Sequence, residues 1–503
     1  LRGRDDYEKF YYADAQKFLE KAISLDPAFA VAYLYQGKTA AAIFDTKGQA
    51  EAYERAKKYS ERASEKERLY IEAGYAGVIE KSPEKRRRLL LELTEKYPKE
   101  KEFHSELGHY YQRSGKSPEA IAAYEKALAL DPDFGFVLNQ AGYAYAGIGE
   151  FDKAIRNFER YAAANPGEAN PIDSIAELYF RRGNFDAAKA KYQEALEIRP
   201  DFSASCWGLA YIYASEENYA EAGHWLEEFI ARAPTLFEKA EGLWLRAFYY
   251  YFLGRWDQSL AEFSTLSGLF EKAGATTALA GTNAVMGHLC LDRGEYDSAR
   301  RAFQAFGDWG MKQDPSQQAS YAGWKSYALG WVDLMQRRLD AARAKLREIE
   351  PVLPKLESDL HAELVRRQHL LEAEILLAEG SPERAIEAGK KIIPQDFAGM
   401  NIGNSPTYNM PFVKDVLARA YWKKGDFDRA VAEYEELITI DLKSQVRYLI
   451  HPLYHYRLGC VYEEKGEKTK AAAEYLKFLE YWKDADATHP ELADARKRLN
   501  SLH

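Results

Sequence analysis

Several kinds of residue that usually announce chemistry are scarce in this chain. Cysteine occurs three times in 503 residues, as Cys206, Cys290 and Cys460. They are far apart and odd in number, with no C-x-x-C pair, so neither a disulfide framework nor a zinc ribbon is indicated. No apolar run reaches the roughly 18 residues a membrane-crossing helix needs. No signal peptide is visible, and the chain opens at Leu1 as if partway through a helix. A long basic stripe is also missing. The net charge is -9 and the pI about 5.8, which makes nucleic acid a poor partner. The densest basic run, Lys85 to Arg88, reads as a solvated helix face. There is no G-x-S-x-G, no H-E-x-x-H and no kinase signature.

What is present is a period. Pro98, Pro132, Pro166, Pro200 and Pro234 stand 34 residues apart each time. Twenty-four residues before each comes a small residue: Gly74, Gly108, Gly142, Ala176 and Ala210. Eight before come Leu90, Tyr124, Phe158, Tyr192 and Leu226. Each row reads as two helices joined by a turn, often at glycine, as at Gly115, Gly149 and Gly183. The small column lets the paired helices approach closely, and the aromatic column fills the space between them. Ser-Pro-Glu at 82–84, 117–119 and 381–383 predicts starts of second helices, with serine as cap and proline at the first helical position. The closing proline cannot continue the hydrogen-bond ladder, so the chain must turn there.

The row "LGHYYQRSGKSPEAIAAYEKALALDP" (107–132) resembles the tetratricopeptide repeat almost throughout. The resemblance implies an all-α fold, a right-handed α-solenoid of about twelve helix-turn-helix units. A partial unit stands at the N-terminus and a capping helix at the C-terminus. The expected organisation is a regular array over 1–236, longer and degenerate repeats over 237–392, and an irregular insert over 393–411. Two further units follow over 412–487, then the cap over 488–503. The insert, rich in Gly, Asn and Pro, reads as a connector.

The glycines of "GYAYAGIGEFDKA" (142–154) are then packing and turn residues. A phosphate loop needs a preceding strand and G-x-x-x-x-G-K-[ST] spacing, and neither is present. His451 and His455 stand four apart, but His451 precedes Pro452 and no third ligand is at hand, so no metal or cofactor is expected. The cysteines read as packed small hydrophobes. Paired acids such as Glu216 and Glu217 fall at turns or solvated faces. Catalysis by residues of this chain is not expected.

The resemblance further implies that the first helices line a concave groove in which peptides lie. The lining candidates are Tyr35, Lys38, Arg68, Tyr75, His109, Asn139, Gln140, Tyr143, Asn170, Asp173, Glu177, Trp207 and Tyr211. Farther on they continue with Trp244, Phe248, Tyr251, Trp324, Tyr327, Trp331, Asp415, Arg419 and Trp422, of which the aromatics over 244–331 are equally suited to packing. Chaperone-binding members clamp a C-terminal carboxylate with cations and amides, and Asp173 and Glu177 stand where such a clamp wants the opposite charge. The leading expectation is a non-enzymatic scaffold for a protein or peptide partner. Two alternatives are a subunit that self-assembles end to end into a filament or ring, and a module of a larger regulator. For the last, the opening 38 residues resemble arrays found behind bacterial serine/threonine kinase or DNA-binding domains.

Overall fold

The computed structural model describes residues 1–43, 45–233, 235–313, 315–356, 358–392, 415–439 and 450–502. Among them the regular structure is helical, with no strand. The insert expected at 393–411 lies outside the described residues.

The helices follow in sequence order. The first are α1 (Arg2–Glu8), α2 (Tyr12–Leu25), α3 (Ala30–Ala42), α4 (Thr46–Tyr59), α5 (Glu65–Val78) and α6 (Pro83–Lys96). Then come α7 (Lys101–Arg113), α8 (Ser117–Leu130), α9 (Gly135–Gly147), α10 (Phe151–Ala164), α11 (Ala169–Arg181), α12 (Phe185–Ile198), α13 (Ser203–Ser215) and α14 (Tyr219–Arg232). The next are α15 (Leu236–Phe252), α16 (Trp256–Lys272), α17 (Thr276–Asp292), α18 (Tyr296–Gln313), α19 (Gln318–Met335) and α20 (Leu339–Ile349). The last are α21 (Ser358–Ala378), α22 (Pro382–Gly389), α23 (Val416–Lys424), α24 (Phe427–Leu437), α25 (Leu453–Lys465), α26 (Lys468–Tyr481) and α27 (Pro490–Leu502). They read as consecutive pairs and one final single helix, the α-solenoid expected from the repeat. The chain divides into two compact units. Unit 1 comprises residues 1–212 and 231–239, and unit 2 comprises 213–230 and 240–503.

The period shows in the boundaries. Helices α6, α8, α10 and α12 each end two residues before Pro98, Pro132, Pro166 and Pro200. Within several pairs one contact recurs. A Cβ on Gly108 would stand 2.5 Å from the Tyr124 ring, and one on Gly142 would stand 2.4 Å from Phe158. In unit 2, Gly287 meets Phe303 at 2.8 Å and Gly459 meets Tyr475 at 2.7 Å. Each aromatic lies sixteen residues after its glycine and is fully buried. Burying such a ring contributes about 2–3 kcal/mol, provided nothing larger than hydrogen occupies the facing position.

The turns follow a second column. Gly115, Gly149 and Gly183 are left-handed, at φ +70°, +80° and +74°. One period to either side stand Lys81 (φ +51°) and Glu217 (φ +60°), in a conformation that costs a side-chain-bearing residue on the order of 1 kcal/mol. The serine caps differ from expectation. Ser82 and Ser381 are N-caps with ψ of 88° and 65° and accept no hydrogen bond from the first turn. Ser117 lies inside its helix behind the cap residue Lys116. The extended cap at Ser64, with ψ 162°, does aim its hydroxyl at the Glu67 amide and completes a capping box.

Candidate functional site

In unit 1 the side chains expected to line a groove stand on the odd-numbered helices. Near the N-terminus they are engaged with one another. The Lys38 ammonium from α3 lies 5.0 Å from the ring centre of Tyr7 on α1 and 4.8 Å from that of Tyr35. It donates to the Tyr70 hydroxyl of α5 at 2.7 Å and to the Glu106 carboxylate of α7. Tyr70 also donates to Glu106, at 2.9 Å. Burial alone would raise Glu106, but Lys38 above all outweighs it and holds the carboxyl at about 2. Burial pushes the neighbouring His109 down to about 4, against the pull of Glu106. Four first helices thus converge on one ammonium.

Farther along, the described hydrogen bonds join neighbouring helices. Tyr143 of α9 donates to Glu177 at 2.9 Å, and its hydroxyl lies 3.1 Å from that of Ser174, both on α11. Ser174 donates to the buried Asn139 at 3.1 Å. Arg181 pairs with Glu177 one turn on. Ser205 of α13 donates to Asp173 at 2.6 Å. Burial pushes the Asp173 carboxyl up to about 7, Ser205 opposing and Glu177 adding to the effect. Asn170 carries a buried Oδ1 that accepts nothing among the described residues. Trp207 and Tyr211 of α13 are half-buried, with ring centres 6.5 Å apart, and Tyr211 meets Phe180 edge-on at 5.5 Å. Gln140 is also half-buried.

The structure therefore forms a wall of two hydrogen-bonded groups, Asn139, Tyr143 and Glu177 with Ser174, and Asp173 with Ser205, and Gln140, Asn170, Trp207 and Tyr211 stand on the same three helices. It places Tyr35 and Lys38 in the cluster near the N-terminus. Arg68 is exposed at the start of α5, and Tyr75 lies under the Lys57 ammonium of α4 at 5.8 Å. The later aromatics pack. Phe248, Tyr251, Tyr327 and Trp331 are buried, and Trp244 meets Phe263 edge-on at 5.3 Å. Asp415 is fully buried between Arg419 and Arg457, and Arg419 also grips Glu374.

Two seams were not foreseen. In unit 1 the turn after α1 meets the starts of later first helices. Phe10 stacks on Phe136 at 5.3 Å, Lys9 pairs with Glu168 at 3.1 Å, and Tyr11 donates to Glu168 beneath the Arg199 guanidinium. In unit 2, turns near the beginning meet loops near the end. Tyr219 donates to the Ile450 carbonyl at 2.8 Å. Trp482, fully buried, donates to the Phe252 carbonyl at 2.8 Å, and His489 meets the Gly254 carbonyl at 2.6 Å. His455 lies between Glu217, at 2.7 Å from Nε2, and Glu474, at 2.6 Å from Nδ1. Sequence offered one signal, the non-glycine Glu217 in a glycine column; it places the residue at a turn, and the structure adds the histidine it faces.

The tetratricopeptide repeat family matches residues 101–134, 174–236 and 416–490. No curated protein matches the chain. Among solved structures, a tetratricopeptide repeat protein from Parabacteroides merdae ATCC 43184 is 21% identical over 49% of this chain and 93% of its own, with a TM-score of 0.36. MamA is 21% identical over 32% of this chain and 93% of its own, with a TM-score of 0.29. YrrB, described as a tetratricopeptide repeat protein with an unusual peptide-binding site, is 18% identical over 37% and 95%, with a TM-score of 0.25. No helix of the described residues is long and apolar enough to cross a membrane.

Proposed function

We propose, from the tetratricopeptide repeats matched over residues 101–134, 174–236 and 416–490, that this chain is a non-enzymatic interaction scaffold that holds an extended partner segment along α9, α11 and α13. The observation that carries this reading is the wall itself. Its polar side chains bond from one repeat to the next and so are held in place, while Gln140, Trp207 and Tyr211 stay half-buried beside them. Aromatic faces offer large contact area at little rotamer cost, and amides pair with an extended backbone. The opposite end, where Lys38 bridges four helices, has its polar groups spent internally.

Peptide display on the intact chain tests the proposal. Enriched extended peptides are expected to bind the wild type and to lose binding to Trp207→Ala/Tyr211→Ala, whose helical circular dichroism is unchanged. Binders indifferent to the double substitution, or no enrichment at all, overturn it.

A further inference from the structure

The seam of unit 2 carries a titratable bridge. His455 sits at the start of α25 with 1% of its side chain exposed. Both ring nitrogens face carboxylate oxygens, Nε2 toward Glu217 and Nδ1 toward Glu474, at 2.7 and 2.6 Å. A neutral imidazole has one N–H, so one of these contacts would set a nitrogen lone pair against an oxygen lone pair. Only the imidazolium donates in both directions. The two acids come from opposite sides of the seam, Glu217 from the turn before α14 and Glu474 from α26.

Glu217 supplies a second observation. It occupies the left-handed turn column that is glycine at 115, 149 and 183. Lys81 shares that conformation, so backbone strain alone assigns nothing. What singles out Glu217 is that this turn delivers its carboxylate to a buried histidine 238 residues away. Among the described residues the ring against the imidazole is that of Tyr481 of α26, 5.7 Å away, itself edge-on to Tyr219 at 5.3 Å.

We propose that this seam is a proton-operated clasp: charged His455 ties Glu217 to Glu474, and loss of its proton loosens the join between the first and last parts of unit 2. The facing groups agree with that direction. Burial opposes the charge on His455, but Glu217 and then Glu474 outweigh it and raise its pKa above the usual 6.5. Tyr481 is raised by burial and then by Glu217, so it remains a neutral phenol while His455 titrates. The sign follows. A histidine with a raised folded-state pKa contributes its full stabilisation below the unfolded value near 6.5. That contribution is lost as pH rises through the folded value.

Amide hydrogen exchange of the whole chain across neutral to mildly alkaline pH, corrected for intrinsic exchange, tests the clasp. The readout is protection at residues 214–219 and 453–456, with histidine 15N shifts alongside. Protection at the seam is expected to fall with rising pH in the wild type, while His455 shows both nitrogens protonated at neutral pH. In Glu217→Gly, which restores the repeat's own turn residue, and in Glu474→Gln, seam protection is expected to be lower and to lose its pH dependence. A wild-type seam insensitive to pH, a neutral His455 at pH 7, or unchanged pH dependence in Glu217→Gly would each overturn the proposal.

Discussion

In unit 1 the turn at Phe10 and Tyr11 rests on Phe136 and Glu168, 126 and 157 residues farther along. In unit 2 the turns at Glu217 and Gly254 rest on His455 and His489, 238 and 235 residues farther along. Both units join a helix-helix turn to a later inter-repeat loop or helix start, but the materials differ. The first seam sets the partly buried ring of Phe10 against buried Phe136, with Tyr11 also partly buried, and adds the Lys9–Glu168 ion pair. The second is a core, with Trp482 fully buried and His451, His455 and His489 each at most 3% exposed. Carboxylates in both units find two kinds of partner. Asp333, Glu374 and Asp415 of unit 2 and Glu177 of unit 1 pair with arginines, whereas Asp173 of unit 1 and Asp292 of unit 2 accept from a serine and a tyrosine hydroxyl. A repeat array can thus join its distant parts with partly buried rings and ion pairs or with fully buried groups, and the second join should cost more to lose.

The largest expected effect lies in the second seam. Trp482→Ala removes a buried ring and leaves the Phe252 carbonyl without its donor, which should cost about 3–5 kcal/mol. The denaturation midpoint should fall and exchange should rise around Phe252 to Trp256. An equal or larger loss for Phe10→Ala would erase the contrast between the seams.

The middle effect concerns Asp173. Its carboxyl is raised by burial, so the native state holds the proton more tightly than the unfolded chain. Stability is therefore lost as pH rises from the ordinary carboxylate value through about 7. Asp173→Asn removes that slope. Relative to the wild type it should gain stability between pH 5 and 8, read by urea denaturation at each pH. A parallel pair of curves would show that Ser205 and solvent already satisfy the charge.

The smallest effect belongs to the first seam. Tyr11→Phe removes a hydroxyl donated to Glu168 at a half-exposed site, where solvent screening leaves about 1 kcal/mol or less. Exchange near residues 8–12 reads it. A loss as large as that at Trp482 would mean that the partly buried seam is held as firmly as the fully buried one.

The repeat was legible because its packing is local. Gly142 and Phe158 are sixteen residues apart, so a small residue recurs at that spacing before an aromatic or leucine and survives as a column. The closing prolines mark helix ends for the same reason. The placement of Asn139, Tyr143, Asp173 and Glu177 on first helices also followed from the period. Their bonding did not, because Ser174 and Ser205 are small residues that no pattern separates from packing positions. The seams were illegible for a different reason. They depend on superhelical rotation accumulated over many hairpins, and no column records which loop a turn will meet. At Ser82 the residue is the N-cap as its Ser-Pro-Glu spelling suggests, but its side chain accepts no hydrogen bond from the first turn.

The join at Trp482 has a mechanical meaning. An open stack of hairpins pulled from one end can peel away one hairpin at a time, each step resisted only by the next neighbour. In unit 2 the Trp482 and His489 contacts tie the far end to the Phe252 turn, so tension on the last hairpin is shared with an early one. Under load the unit should resist as a closed link, with one high-force rupture at the seam preceding any stepwise peeling.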